Sequence, residues 1–276
     1  MSALGRTWQL FKQSFTVLSA DVEILLFPVM SAVAAILVAT SFFVPMYQIG
    51  ALAAIHDGRA RWDDWACLFA WYYTNFFVVI FFNSGLVACA NIRLSGGDPT
   101  VRDGLRIAFL RIHRIAAWTL VATTVGLVLQ SLRNRRNGLV GRLLGSALGL
   151  SWTLVTYLIV PIIILEDRGM FDSIYRSAEL FKKTWGEEVA GSFGFGLLNL
   201  LLSLPAFLMA FLLWPYDRGA AIIVGLVYIL ILAVVASAAK GVFTAALYRY
   251  AATGEAPSGF SADLIDGSLG SRRQSA

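Results

Sequence analysis

The stretch "ILLFPVMSAVAAILVATSFFVPMYQIGALAAI", residues 24–55, runs for 32 residues without one Asp, Glu, Lys, Arg or His. A helix rises about 1.5 Å per residue, so about 20 apolar residues cross the hydrocarbon of a bilayer. Lipid-exposed backbone must satisfy its hydrogen bonds internally, which leaves a helix or a closed barrel. Barrel strands are alternating segments of about ten residues. Blocks such as "AILVATSFFVP" and, further on, "FFVVIFF" do not alternate, so the run reads as a spanning helix.

Outward from it, charge-free runs recur at 65–92, 115–132, 143–165, 189–216 and 219–239, of 28, 18, 23, 28 and 21 residues. Composition agrees: 58% of the chain is hydrophobic, only 14% is charged, and the mean hydropathy is +0.71. Soluble domains carry about 25% charged residues. The expectation is an all-α polytopic membrane bundle of six transmembrane helices, at about 22–46, 66–91, 115–132, 142–165, 189–214 and 219–248. These form a single integral membrane domain over 1–252, followed by a flexible cytoplasmic tail, 253–276, in which Phe260 or Leu264 docks locally. The first run is too long for a signal-peptide core, so it is expected to stay as a span.

Orientation follows the Lys and Arg of the loops. With the N-terminus inside, 15 of the 22 basic residues fall on the cytoplasmic side and 7 outside, so both termini are predicted to be cytoplasmic. The dissenting feature is Arg133, Arg135, Arg136 and Arg142, a basic loop that six spans place outside. Dropping the 18-residue third run reduces the bias to 12 against 10, so six spans is retained. Trp62, Trp65, Trp71, Tyr72 and Tyr73, with Trp214 and Tyr216, mark the outer aromatic belt.

Three segments are amphipathic rather than spanning. In 3–20, Leu4, Trp8, Phe11, Phe15 and Leu18 form a stripe opposite Arg6, Gln9, Lys12 and Gln13. In 171–186, Phe171, Ile174, Tyr175, Ala178, Phe181 and Trp185 do the same opposite Arg176, Glu179, Lys182 and Lys183. Setting Arg6 on Arg176 superposes Leu10 on Leu180, Phe11 on Phe181 and Lys12 on Lys182. The third, 98–114, would be capped by Asp98 with Pro99 in its first turn, and its stripe is Val101, Leu105, Ala108 and Ile112. Such helices lie in the headgroup plane. Each precedes a pair of spans, so the chain reads as three copies of interfacial helix, out and back.

This arrangement resembles a family of bacterial six-span membrane proteins, domain of unknown function 6159. The residues that carry the resemblance are "FTVLSADVEILLFPVMSA" (15–32), "SWTLVTYLIVPIIILED" (151–167), "RSAELFKKTWGE" (176–187) and "ALYRYAATGEAPSGF" (246–260). It implies a multi-pass bacterial inner-membrane protein and supplies no established activity.

Within the spans, Gly141, Gly145 and Gly149, with Thr153, place small residues on one helical face, where backbones approach closely. Ala233, Ser237, Gly241 and Ala245 echo this in the sixth span, and Ser31, Ala35 and Ala39 in the first. Contacts between helices of one chain are expected there, with a homo-oligomer interface as the alternative. Pro28, Pro161 and Pro205 free carbonyls that neighbours or water must satisfy. Intramembrane polar residues are few: Asn75, Asn83, Ser84, Gln130, Asn199, Thr119, Thr123 and Thr124.

No Asp, Glu, Lys or Arg falls at mid-membrane depth, which argues against ion-coupled transport. Asp21, Glu23, Glu166, Asp167 and Lys240 fall at the cytoplasmic edge. The S-x-x-K of Ser237 and Lys240 reads as a snorkelling anchor, and "GSFGFG" (191–196) follows no strand, so neither marks a catalytic or dinucleotide site. His56 and His113 lie on opposite membrane sides, and Cys67 and Cys89 at opposite ends of the second run. No catalytic, cofactor or metal residue is therefore assigned. The isoelectric point near 9.4 reflects basic loops against anionic headgroups rather than nucleic acid. The expectation is a non-enzymatic structural or partner-binding membrane component in contact with lipids and either copies of itself or another membrane protein. The alternatives are a passive channel lined by Asn83, Asn199 and the third span, and, more weakly, a lipid-modifying enzyme using Glu166 and Asp167.

Overall fold

Apolar runs that must satisfy their own backbone become helices, and the computed structural model is helical throughout its described residues, with no strand among them. It describes the backbone of residues 3–135, 148–185, 194–257 and 259–260, and the side chains of 8–131, 148–182, 200–257 and 259–260. The elements are α1 (Ala3–Ala20), a 3-10 turn (Val22–Leu25), α2 (Leu26–Gln48), α3 (Ala51–His56) and α4 (Trp62–Leu94). There follow α5 (Val101–Leu110), α6 (Ile112–Arg135), α7 over 148–155, and α8 (Ile159–Leu165). The last are α9 (Met170–Trp185), α10 (Gly194–Leu213) and α11 (Arg218–Thr253). Five helical stretches are long and apolar enough to cross a membrane: Val22–Gln48, Trp62–Leu94, Ile112–Ser131, Leu148–Leu165 and Arg218–Thr253. Residues 189–193 of the expected fifth span lie outside the described residues, and α10 carries its apolar stretch as Leu200–Leu213.

Helix ends follow local chemistry. Asp217 caps α11, accepting from Gly219 N at 2.7 Å and Ala220 N at 3.1 Å, and Gly254 closes it in the left-handed conformation at φ 78°. Asp63 and Asp64 open α4 and Arg93 stands in its last turn, as the helix dipole favours. The expected cap of the third amphipathic segment is corrected. α5 begins at Val101, and Thr100 is its cap: Thr100 N donates to Asp103 Oδ2 at 3.0 Å while Asp103 N donates to Thr100 Oγ1 at 3.3 Å. This reciprocal box outcompetes Asp98, which faces Arg93 at 3.5 Å instead. The segment then breaks at Arg111, whose N–H is shared between Ile107 O and Ala108 O at 3.2 Å each.

The prolines act as their positions dictate. Pro28 is corrected from a ladder breaker to a first-turn residue of α2, where a missing N–H costs nothing. Before Pro161 the fourth span breaks into a turn at 156–158, and Thr156 Oγ1 donates to Trp152 O at 2.7 Å. Around Pro205, inside α10, Ser203 Oγ donates to Leu200 O at 2.7 Å, and Tyr228 of α11 donates to Leu202 O at 3.0 Å. Interhelical bonds of this kind contribute about 0.6 kcal/mol on average and up to about 1.7. Tyr228→Phe is therefore expected to lower stability by about 1 kcal/mol, read as a shift of the detergent melting midpoint. No shift would mean that another donor already serves Leu202 O.

The chain packs as two compact units. One comprises residues 1–28, 86–104 and 179–276. Its core is Leu10, Leu18, Phe27, Leu86–Ala90 and the closely packed Ala238, Ala239, Val242, Ala245 and Ala246 of α11. The other comprises 29–85 and 105–178. There Phe81 meets Phe109 edge-on at 4.9 Å, Trp118 stacks on Trp152 at 5.9 Å, and Asn75 Nδ2 donates to Ala35 O at 3.3 Å.

The small-residue stripes come out unevenly. On the sixth-span stripe Gly241 and Ala245 are buried, but Ala233 and Ser237 are exposed. Among the described residues nothing lies within 4 Å of where a Cβ on Gly149 would be, and Thr153, exposed, donates to Gly149 O, so the described residues form no seam at these two positions. Gly141 and Gly145 lie outside the described residues.

Candidate functional site

Among the described residues the densest charged cluster is built at the end of α8. Pro161 and four buried isoleucines carry α8 to Leu165, where Glu166 turns extended at φ −102° and ψ 145° and ends the helix. Asp167 then reaches the break between α5 and α6. Arg111 Nη1 donates to Asp167 Oδ1 at 2.6 Å and Arg114 Nη2 to the same oxygen at 2.5 Å, while Arg114 Nη1 reaches Glu166 O at 3.4 Å. Arg114 stands in the first turn of α6, where the positive end of the helix dipole disfavours a cation, so the arriving carboxylate is electrostatically favoured. Glu166 is mostly buried and pairs through Oε2 with Arg168 and through Oε1 with Arg176, at 3.6 Å for the latter.

Hydrogen bonds from Arg114 and Arg111 hold the Asp167 carboxyl below the ordinary aspartate value of 3.8. A depressed carboxylate contributes stability above its unfolded value and loses it as pH falls through the folded one. Asp167 thus stays ionised at neutral pH and is poorly matched to acid–base work there, which favours a general base poised near 7.

A second cluster lies in the other unit, where α1 meets the first span. Glu23 Oε2 accepts from Val101 N at 3.1 Å, capping α5 across 78 residues of sequence. Asp21 is buried, and Oδ2 has no hydrogen-bond partner among the described residues. Burial pushes its carboxyl above 3.8, while the nearby Arg93 guanidinium opposes the rise. The unfolded chain therefore releases this proton at lower pH than the folded one, so the ionised group opposes folding at neutral pH. Asp21→Asn is expected to melt higher than the parent at pH 7, with the difference closing below the ordinary value of 3.8. A lower melting point at pH 7 would show that the Arg93 attraction outweighs burial.

The remaining sequence candidates are scattered. Thr119 and Thr123 are fully buried, Thr119 donating to Ile115 O at 2.7 Å, and the exposed Thr124 donates to Leu120 O at 2.8 Å. Asn83 is half-buried, and the side chain of Asn199 lies outside the described residues. Ser237 and Lys240 are both exposed, as are His56 and His113. Cys67 and Cys89 are free thiols, and Cys89 Sγ lies 3.3 Å from Thr100 O. Among the described residues no group of three or more His, Cys, Asp and Glu is placed to hold a metal. The Arg111–Arg114–Asp167 junction was not read from sequence. Its only trace there is "RIHR" (111–114), opening one apolar run, and "ED" (166–167), closing another.

Five apolar helices of crossing length among the described residues define a polytopic helical membrane protein. The chain belongs to a family of unknown function, DUF6159, whose match covers residues 63–260. Neither the curated proteins nor the solved structures gave a match.

Proposed function

We propose that the protein is a non-enzymatic, multi-pass component of a bacterial inner membrane with a structural or partner-binding role. In this reading it crosses six times with both termini cytoplasmic, and α1, α5 and α9 lie along the cytoplasmic face as interfacial helices. It contacts membrane lipids and a second copy or another membrane protein, and no nucleic acid. The 20-residue α10 supports the sixth crossing. The observation that carries the functional reading is how the spans use their polar side chains. Asn75, Thr119, Thr124, Thr156, Ser203 and Tyr228 all donate to backbone carbonyls, which fastens helices to themselves and to neighbours. Glu166 and Asp167, the residues an enzyme would use, are instead held in ion pairs.

One observation favours a passive facilitator as second reading: Ser84 Oγ and Thr123 Oγ1 are buried without a hydrogen-bond partner among the described residues, and such groups call for water. Solute-driven swelling of proteoliposomes separates the two. Swelling no faster than in protein-free liposomes supports the structural reading, and faster swelling overturns it.

Topology is tested by a cysteine at Asn137, with Cys67 and Cys89 removed, probed in intact cells by a membrane-impermeant maleimide. Six spans place Asn137 outside, so labelling is expected without opening the inner membrane. Labelling only after opening would remove the third span and the external basic loop of Arg133, Arg135, Arg136 and Arg142, whose side chains lie outside the described residues.

A further inference from the structure

We propose that the arginine cluster around Glu166 and Asp167 is a binding site for the phosphodiester headgroup of an anionic phospholipid. The first argument is charge. Arg111, Arg114, Arg168 and Arg176 converge on two carboxylates, and the surplus is two positive charges. The second is donor capacity. A guanidinium presents five N–H donors in a planar fork suited to phosphate oxygens. Among the described residues, Arg111 spends one nitrogen on Asp167, and Arg114 one on Asp167 and one on Glu166 O. Both share the single oxygen Oδ1, so the forks are oriented but not filled.

The third argument is access. The four arginine side chains keep between 21% and 47% of their surface exposed, so an anion reaches them without unfolding anything. Finally, the flanks of the cluster are apolar and open. Phe109 and Leu110 immediately precede Arg111, and Phe171 and Tyr175 stand on the first turns of α9; all four are strongly exposed. Cations beside exposed apolar side chains suit a molecule with a charged head and acyl chains, whereas a free phosphate would use the cations alone. Basic clusters at the ends of spanning helices bind such headgroups, and the surplus of two charges matches a headgroup carrying two phosphodiesters. The site adds a ligand to the structural reading above and does not depend on it.

The test is native mass spectrometry of the full-length protein released from detergent, titrated with cardiolipin, phosphatidylglycerol or phosphatidylcholine. Cardiolipin is expected to be retained most and phosphatidylcholine least. Arg111→Gln with Arg114→Gln is expected to weaken cardiolipin retention about tenfold, since each removed cation contributes near an anionic surface. Because that variant leaves Asp167 unpaired, Asp167→Asn is measured beside it: it raises the surplus to three charges and is expected to bind at least as well as the parent. Should the double variant not fold, Arg168→Gln takes its place with the same direction of change. Equal retention of cardiolipin and phosphatidylcholine would overturn the proposal. So would loss of binding in Asp167→Asn, or displacement of bound cardiolipin by millimolar inorganic phosphate.

Discussion

Gly241→Leu is expected to lower the stability of the detergent-solubilised protein by about 3 kcal/mol, the upper part of the usual range for overpacking a filled core. Gly241 is buried in α11, and a Cβ added there would overlap Leu86 Cδ2 and lie 3.4 Å from Leu86 Cδ1 and Cγ. Leu86 is itself only 1% exposed, so it cannot swing out into solvent to admit a whole leucine side chain. Gly241→Ala should cost much less, because one methyl needs only a rotation of the Leu86 terminus. Coupling gives the sharper measurement. In a Leu86→Ala background the space is already open, and Gly241→Leu should cost less than about 1 kcal/mol, an interaction energy within the range for residues in contact. Two glycines serve as comparisons: a Cβ on Gly225 meets Ala210 Cβ at an ordinary 3.5 Å, and one on Gly149 meets nothing within 4 Å. A Gly241→Leu cost that persists unchanged beside Leu86→Ala would show that the close approach is not to Leu86.

Those glycines also show where sequence carried information and where it did not. The charge-free runs and their lengths are one-dimensional properties fixed by bilayer thickness, and five of the six expected spans are present as apolar helices in the described residues. Small-residue spacing is different. It says that one helical face permits close approach, and it is silent on whether anything approaches. The spacing of four at Gly141, Gly145, Gly149 and Thr153 and the same spacing at Ala233, Ser237, Gly241 and Ala245 read alike, yet among the described residues Gly149 meets nothing within 4 Å while Gly241 is crowded by Leu86. Charged contacts are harder still. Glu23 finds Val101 across 78 residues and Arg111 finds Asp167 across 56, and no local pattern reports separations of that size. What sequence did report was that Glu23 and Asp167 fall at the edges of apolar runs, where charge can stay near water.

The amphipathic helices give the last expected result. Leu180→Ala is expected to destabilise the protein by about 2–5 kcal/mol, as deleting a fully buried leucine does, whereas Tyr175→Ala should change stability by less than about 0.5 kcal/mol. The sequence pattern put Phe171, Tyr175 and Phe181 on one apolar stripe. The structure turns the packed face of α9 toward Ser173, Ser177 and Leu180, at spacings of four and three. Leu180 is 1% exposed, while Phe171 and Tyr175 are 76% and 83% exposed. α1 repeats the offset in part. Leu10, superposed on Leu180 by the internal repeat, is 3% exposed beside the buried Ser14 and Val17, and Trp8 and Phe15 stand out, while Leu18 of the expected stripe is buried at 1%. In the proposed interfacial placement the physical reason is that a helix at a membrane surface meets two apolar environments. Small and aliphatic residues fit against protein, and large aromatic rings suit the headgroup boundary. A single hydrophobic stripe in the sequence cannot separate the two, because both count as apolar. Melting in detergent reads the protein-facing edge, so Leu10→Ala should track Leu180→Ala there. Partition of a synthetic α9 peptide into lipid vesicles reads the other edge, and Phe171→Ala with Tyr175→Ala should weaken it. If Leu180→Ala and Tyr175→Ala melt alike, the buried edge of α9 is not the one that holds it to the protein.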